Sequence, residues 1–178
     1  MIRRIAITGP ESTGKSILSE SLARHFKTQW VPEYAREYLA LLETQYKQSD
    51  ILEIAKGQLC AEEEHKTYAN NFLFCDTDLL VTKIWSEVKY GNCDEWILQQ
   101  LVNHSYDLFL LCDIDLPWAP DPLREHPNFR KELFDIYLKN LKLYKFPFAI
   151  VRGTGIDRMN NAIKIIDEYF IHTPLVSK

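Results

Sequence analysis

Gly9 through Ser16 read Gly-Pro-Glu-Ser-Thr-Gly-Lys-Ser, a fit to G-x-x-x-x-G-K-[ST]. That pattern restricts the fold because it works only between a strand and a helix. The β-branched apolar run Ile5-Ala6-Ile7-Thr8 precedes it, and Leu18, Leu22 and Phe26 recur four apart behind it. Gly9 and Gly14 let the backbone turn tightly enough for successive N–H groups to face one anion. The helix adds its unpaired N-terminal donors and the positive end of its dipole. Lys15 brings a mobile charge to the β- and γ-phosphates, and the Ser16 hydroxyl is placed to ligate Mg²⁺. The segment predicts a nucleoside triphosphate site built from Gly9, Glu11, Ser12, Thr13, Gly14, Lys15, Ser16 and Ile17.

The rest of the chain fits a domain able to carry such a site. At 178 residues it is expected to form one domain over 1–178, burying about 70% of its unfolded surface in a three-layer core. Its 46% hydrophobic and 26% charged residues argue against disordered and membrane classes. A net charge of −4 with no basic stripe argues against a nucleic-acid partner. Cys60, Cys75, Cys93 and Cys112 form no C-x-x-C pair, so a reducing compartment is expected and neither zinc nor disulfides are. The first strand begins within a few residues, which leaves no room for a signal peptide, and no apolar stretch approaches the length of a membrane span. The expected location is the cytoplasm.

Five short apolar runs, residues 3–8, 28–32, 72–75, 107–112 and 147–151, read as strands covered on both faces. Helical spacing occupies residues 50–69 and 78–90, begins again near 128, and marks a last helix by Met159, Ile163, Ile166 and Phe170. Alternation of this kind implies α/β architecture: a parallel five-stranded sheet, helices on both faces, active groups at the carboxyl ends of the strands. Residues 116–130 hold four prolines and should form an irregular lid.

Carboxylates and arginines complete the candidate site. Phe72-Leu73-Phe74-Cys75-Asp76 is an apolar strand ending in an acid, the Walker B arrangement, so Asp76 pairs with Ser16 as a metal ligand. Asp78 can serve the metal or a second substrate, or cap the helix that follows. Glu33, after the second strand, is the preferred general base, with Asp78 its rival. Tyr34 and Arg36 are candidate acceptor contacts. Arg124 and Arg130 can close over the triphosphate. Asp113 and Asp115 are possible loop anchors. Gly153-Thr154-Gly155 either admits an adenine, making Thr154 and Gly155 nucleotide contacts, or forms a tight turn.

No N-K-x-D or D-x-x-G segment of a regulatory GTPase is present, and an AAA-type motor would need a further helical domain. A small-molecule kinase matches the layout. A regulatory ATPase, a nucleotide sensor and a kinase for another nucleoside remain open.

Residues 8–16, Val31-Pro-Glu-Tyr-Ala-Arg-Glu, Cys75-Asp-Thr-Asp-Leu and Asp113-Ile-Asp-Leu-Pro-Trp through Arg124 together resemble the ribosylnicotinamide kinase domain of NadR-type proteins. The resemblance implies a fold similar to the nucleoside kinases, with their 2-3-1-4-5 strand order, and ATP·Mg²⁺-dependent phosphorylation of the 5′-hydroxyl of nicotinamide riboside. The bifunctional members also carry an H-x-G-H adenylyltransferase signature. His25, His65, His104, His126 and His172 form no such motif, so neither adenylyl transfer nor DNA-linked regulation is expected. The cationic pyridinium of that acceptor suits aromatic faces and carboxylates, for which Trp30, Tyr34, Tyr38 and Trp118 are the candidate ring partners and Glu33, Asp76 and Asp78 the candidate negative charges.

Overall fold

The computed structural model describes residues 2–172. The elements in chain order are β1 (Arg3–Thr8), α1 (Lys15–His25), β2 (Gln29–Val31), α2 (Tyr34–Ala40), α3 (Gln48–Lys66), β3 (Phe72–Asp76), α4 (Leu79–Tyr90), α5 (Glu95–Asn103), β4 (Leu108–Cys112), α6 (Arg130–Leu143), β5 (Phe148–Val151) and α7 (Gly155–His172). The strands pair in parallel, as the apolar runs predicted, and in the order β2-β3-β1-β4-β5 that the resemblance implied.

Alternation of side chains along each strand divides the core in two. Ala6, Leu73, Cys75, Phe109 and Leu111 face the layer of α3, α4, α5 and α6. Their neighbours Ile5, Ile7, Phe74, Leu108, Leu110 and Cys112 pack with Leu18 and Leu22 of α1 and Ala162 and Ile166 of α7. Since both faces are covered, β4 is buried at all five positions. Each fully buried Leu, Ile or Phe side chain contributes about 1.5–3 kcal/mol, which concentrates stability beneath the loops that carry chemistry.

Register brings those loops together. β1 pairs with β3 so that Ile7 stands beside Asp76, and the Thr77 amide donates to the Ile7 carbonyl at 3.2 Å. The carboxylate of Asp76 is thereby fixed next to the start of the phosphate loop. Thr77 itself has φ +69°, a costly conformation for a β-branched residue, and it turns the chain between the end of β3 and the start of α4.

Two helices depart from expectation. α5 has no counterpart in the helical patterns read from sequence; Asp94 accepts from the Trp96 amide at 2.8 Å, and only Ile97 and Leu101 are buried. α7 begins at Gly155, four residues before Met159, the first residue of its expected stripe. The proline segment between β4 and α6 has no regular element, as expected. No helix is long and apolar enough to cross a membrane among the described residues.

Candidate active site

The phosphate loop leaves β1 at Gly9, whose φ of +129° and close approach to β4 both require glycine: a Cβ there would lie 3.0 Å from the Cys112 carbonyl oxygen. Gly14, φ +76°, ends the loop at the N-cap of α1. The Thr13 hydroxyl donates to the Pro10 carbonyl at 2.8 Å and tightens the curve. With glycine at its cap, α1 presents its first amides without a capping side chain, the arrangement that suits an anion. Lys15 Nζ donates to the Gly9 and Pro10 carbonyls at 3.0 and 2.9 Å, which holds the ammonium over the loop. Residues 11–17 line a groove of about 140 Å³ together with Glu33, Arg36, Leu123 and Arg124.

Asp76 is 1% exposed and its Oδ1 has no hydrogen-bond partner. Burial, then the negative charge of Glu33, pushes its pKa up to about 6; the Ser16 hydroxyl and the Lys15 ammonium act the other way. An orphaned carboxylate oxygen beside a hydroxyl is a hard-oxygen pair of the kind Mg²⁺ takes when phosphates and water supply its other ligands. Among the described residues no cluster of three or more His, Cys, Asp or Glu offers an all-protein metal cage.

Asp78 has a different job. Its Oδ1 accepts from the amides of Leu80 and Val81 at 2.6 and 3.2 Å, so it caps α4. It is fully buried, and burial raises its pKa to about 6. It does not line the phosphate groove or either neighbouring cavity. Its Oδ1 thus serves as the helix cap, while its Oδ2 is buried without a hydrogen-bond partner.

Glu33, at the start of α2, accepts from Arg36 Nε at 3.1 Å, and Arg36 Nη1 also donates to Asp121 at 3.0 Å. Three cavities meet at this rim, and Glu33 alone borders all of them. The first is the phosphate groove. The second, about 280 Å³, runs under the proline segment between α2, α4 and α6 and is walled by Leu39, Val81, Ile84, Val88 and Leu133 with Tyr46, Trp85 and Tyr137. The third, about 510 Å³, lies on the other side of Arg36 and includes Trp30, Tyr34, Asp76 and Ser16.

The aromatic partners expected for the acceptor divide: Trp30 and Tyr34 line the third cavity with Glu33, Arg36 and Asp76, while Tyr38 and Trp118 border none of the three. Tyr34 packs against α3 so closely that a Cβ on Gly57 would lie 2.1 Å from its ring, and the Tyr38 hydroxyl donates to Asp50 at 2.9 Å. Neither these two nor Trp30 or Trp118 lines the apolar cavity. Its rings are those of Tyr46 and Trp85, edge to face at 5.0 Å between centroids, and Tyr137. Trp85 lay on a helical stripe that reads equally well as core, and Tyr46 is a loop residue with no local signal.

The proline segment rests on the phosphate loop. Ser12 Oγ accepts from the Ala119 amide at 2.8 Å, and the Glu11 carboxylate accepts from the amides of Glu125 and His126 at 3.1 and 3.0 Å. Arg124 borders the phosphate groove and donates to the Ala119 carbonyl. Arg130 donates to the carbonyls of Leu116 and Ser12 at 2.9 and 3.2 Å and borders none of the three cavities. The side chains of Glu11, Ser12 and Thr13 are therefore occupied by protein, and what they offer a phosphate is their backbone. Thr154 and Gly155 stand at the β5 rim, outside these cavities. That turn is tied down by Asp115, which accepts from the Gly153 amide at 2.6 Å, and by Arg158, bound to Asp115 and the Gly153 carbonyl. Asp113 accepts from Arg152 at 2.9 Å, so both acids anchor loops.

A family model described as an AAA domain matches residues 4–158. The trifunctional NAD biosynthesis/regulator protein NadR of Salmonella typhimurium is 31% identical over 175 residues, covering 94% of this chain and 42% of that protein. This chain thus spans less than half the length of that relative. Among solved structures, a NadR protein in complex with NR superposes with a TM-score of 0.76 at 22% identity, over 99% of this chain and 53% of that one. Thymidylate kinase from Candida albicans gives 0.67 at 19% identity, over 99% and 96%.

Proposed function

This chain belongs to the AAA domain family, and from that premise we propose that it transfers the γ-phosphoryl group of ATP to the 5′-hydroxyl of nicotinamide riboside. The observation that carries the reading is the position of Glu33, whose carboxylate borders both the phosphate groove and the aromatic cavity. A hydroxyl presented from the cavity meets a base on one side and the end of the triphosphate on the other. The hydroxyl oxygen forms the new bond to phosphorus, its proton passes to Glu33, and ADP leaves as the bond to the β-phosphate oxygen breaks. Positioned proton transfer of this kind is worth about 10²–10⁴ in rate.

Each remaining group has a part. Loop amides and Lys15 hold the phosphates. Ser16 and Asp76 would hold Mg²⁺, which when bound offsets the charge that builds on the transferring group. Arg124 neutralises the phosphates from the lid, while Arg130 keeps the lid seated. Arg36 holds the base in place. Trp85 offers a π face to the cationic pyridinium, since one face of Tyr46 already carries the Lys89 ammonium at 4.0 Å from its centroid, and the likeness to a NadR protein solved in complex with NR supports that choice of acceptor. The lid, residues 116–130, excludes water, a competing nucleophile at about 55 M. A soluble nucleoside acceptor, with neither nucleic acid nor membrane as partner, and a cytoplasmic location belong to the same reading.

The test is ADP release with ATP·Mg²⁺ across nicotinamide riboside, other nucleosides and shikimate-like acids. Stimulation by nicotinamide riboside alone is expected. Stimulation by a different nucleoside would reassign the acceptor. Acceptor-independent hydrolysis would make the chain a regulatory ATPase, and tight nucleotide binding without turnover would make it a sensor.

A further inference from the structure

Glu11 is an odd residue to find in a loop shaped for a polyanion. Its carboxylate would repel phosphates at short range, yet it borders the phosphate groove. Its oxygens are engaged elsewhere: they accept from the amide of Glu125 at 3.1 and 3.2 Å and from the amide of His126 at 3.0 Å, and Nδ1 of His126 lies 3.4 Å away. Charge-assisted bonds of this type are about twice as strong as neutral ones. The phosphate loop therefore grips the lid by its backbone.

The far side of the same lid residue reaches the aromatic cavity. The Glu125 carboxylate accepts from Lys89 at 2.8 and 3.0 Å and from the Tyr46 hydroxyl at 2.9 Å. That hydroxyl in turn accepts from Trp85 Nε1 at 2.9 Å. Lys89 and Tyr46 hold the Glu125 carboxyl below the usual carboxylate range despite its partial burial, so it stays charged and clasped. One path of hydrogen bonds thus joins the phosphate loop, through both ends of Glu125, to the rings that wall the acceptor cavity.

We infer that Glu11 is a positioning residue: its carboxylate latches the lid to the phosphate loop and so ties closure over the acceptor cavity to the nucleotide site. The inference rests on the kinase reading for its consequence in catalysis, though not for the contact itself. A latch of this kind keeps water from the γ-phosphate while the acceptor is seated, and it turns a repulsive charge into a structural one.

Two readouts on the full chain test it, using Glu11→Ala and the milder Glu11→Gln. Without substrates, amide hydrogen exchange at Glu125 and His126 should quicken about tenfold in Glu11→Ala, as expected when a charged acceptor is lost. Unchanged exchange would overturn the latch. With ATP·Mg²⁺ and nicotinamide riboside, KM for the acceptor should rise about tenfold while ATP affinity holds within about twofold. The share of ADP formed without phosphorylated acceptor should grow in both variants. Loss of ATP affinity equal to the rise in acceptor KM, with coupling intact, would make Glu11 a nucleotide ligand and defeat the proposal. Should the wild-type chain fail to phosphorylate nicotinamide riboside, the acceptor reading falls, and the exchange rates still decide the latch.

Discussion

At the scale of single residues, the account divides work between Lys15, Glu33 and Asp76. Lys15 gives two hydrogen bonds to its own loop, neither in the hydrophobic core, so Lys15→Ala should lower phosphoryl transfer by about 10² or more while the melting temperature shifts little. Near-normal turnover would remove it from the mechanism. Glu33→Gln keeps the shape at the junction of the cavities and loses the base; turnover should drop by about 10²–10⁴ with ATP affinity nearly kept, read by steady-state rates and titration. Loss of ATP binding instead would place Glu33 in the nucleotide site. Asp76 carries a pH signature. Its folded pKa of about 6 exceeds the ordinary 3.8, so the folded chain holds a proton that the unfolded chain has already lost between those values. Stability therefore falls as pH rises through that window, by up to about 3 kcal/mol at completion. In metal-free protein, Asp76→Asn should raise unfolding stability at pH 7.5 by about 1–3 kcal/mol, with the gain vanishing toward pH 4. An equal gain at both pH values would contradict the burial argument.

At the scale of elements, α4 begins on Asp78 and ends beside the acceptor cavity, so its cap and its chemistry can be separated. Asp78→Asn retains an oxygen for the Leu80 and Val81 amides and should keep turnover within about threefold. Asp78→Ala orphans both donors and should cost about 1–2 kcal/mol in chemical denaturation. Collapse of turnover in the asparagine variant with stability kept would return Asp78 to the chemistry. The strands were legible in the sequence because a doubly covered sheet demands short apolar runs, and all five lie within two residues of their expected bounds. α5 was not, because nine residues with two buried positions leave too faint a period. The phosphate loop was legible because its glycines, lysine and serine act within one local turn. The apolar cavity was not, because Tyr46 meets Trp85 from 39 positions away through packing that no local pattern encodes.

At the scale of the molecule, the sheet order places β1 in the middle with β3 on one side and β4 on the other. The phosphate loop, Asp76 and the start of the lid therefore leave neighbouring strands at one rim. Lid, loop and α2 are then tied together by short contacts: Ser12 to Ala119, Glu11 to Glu125 and His126, Arg36 to Asp121. In the proposed reaction this arrangement selects an acceptor hydroxyl in preference to water. The direct measurement is the fate of γ-labelled phosphate in single turnovers with ATP·Mg²⁺ and nicotinamide riboside. The account predicts label in nicotinamide mononucleotide, with little as inorganic phosphate; label released to water at the same rate with or without the nucleoside would contradict it.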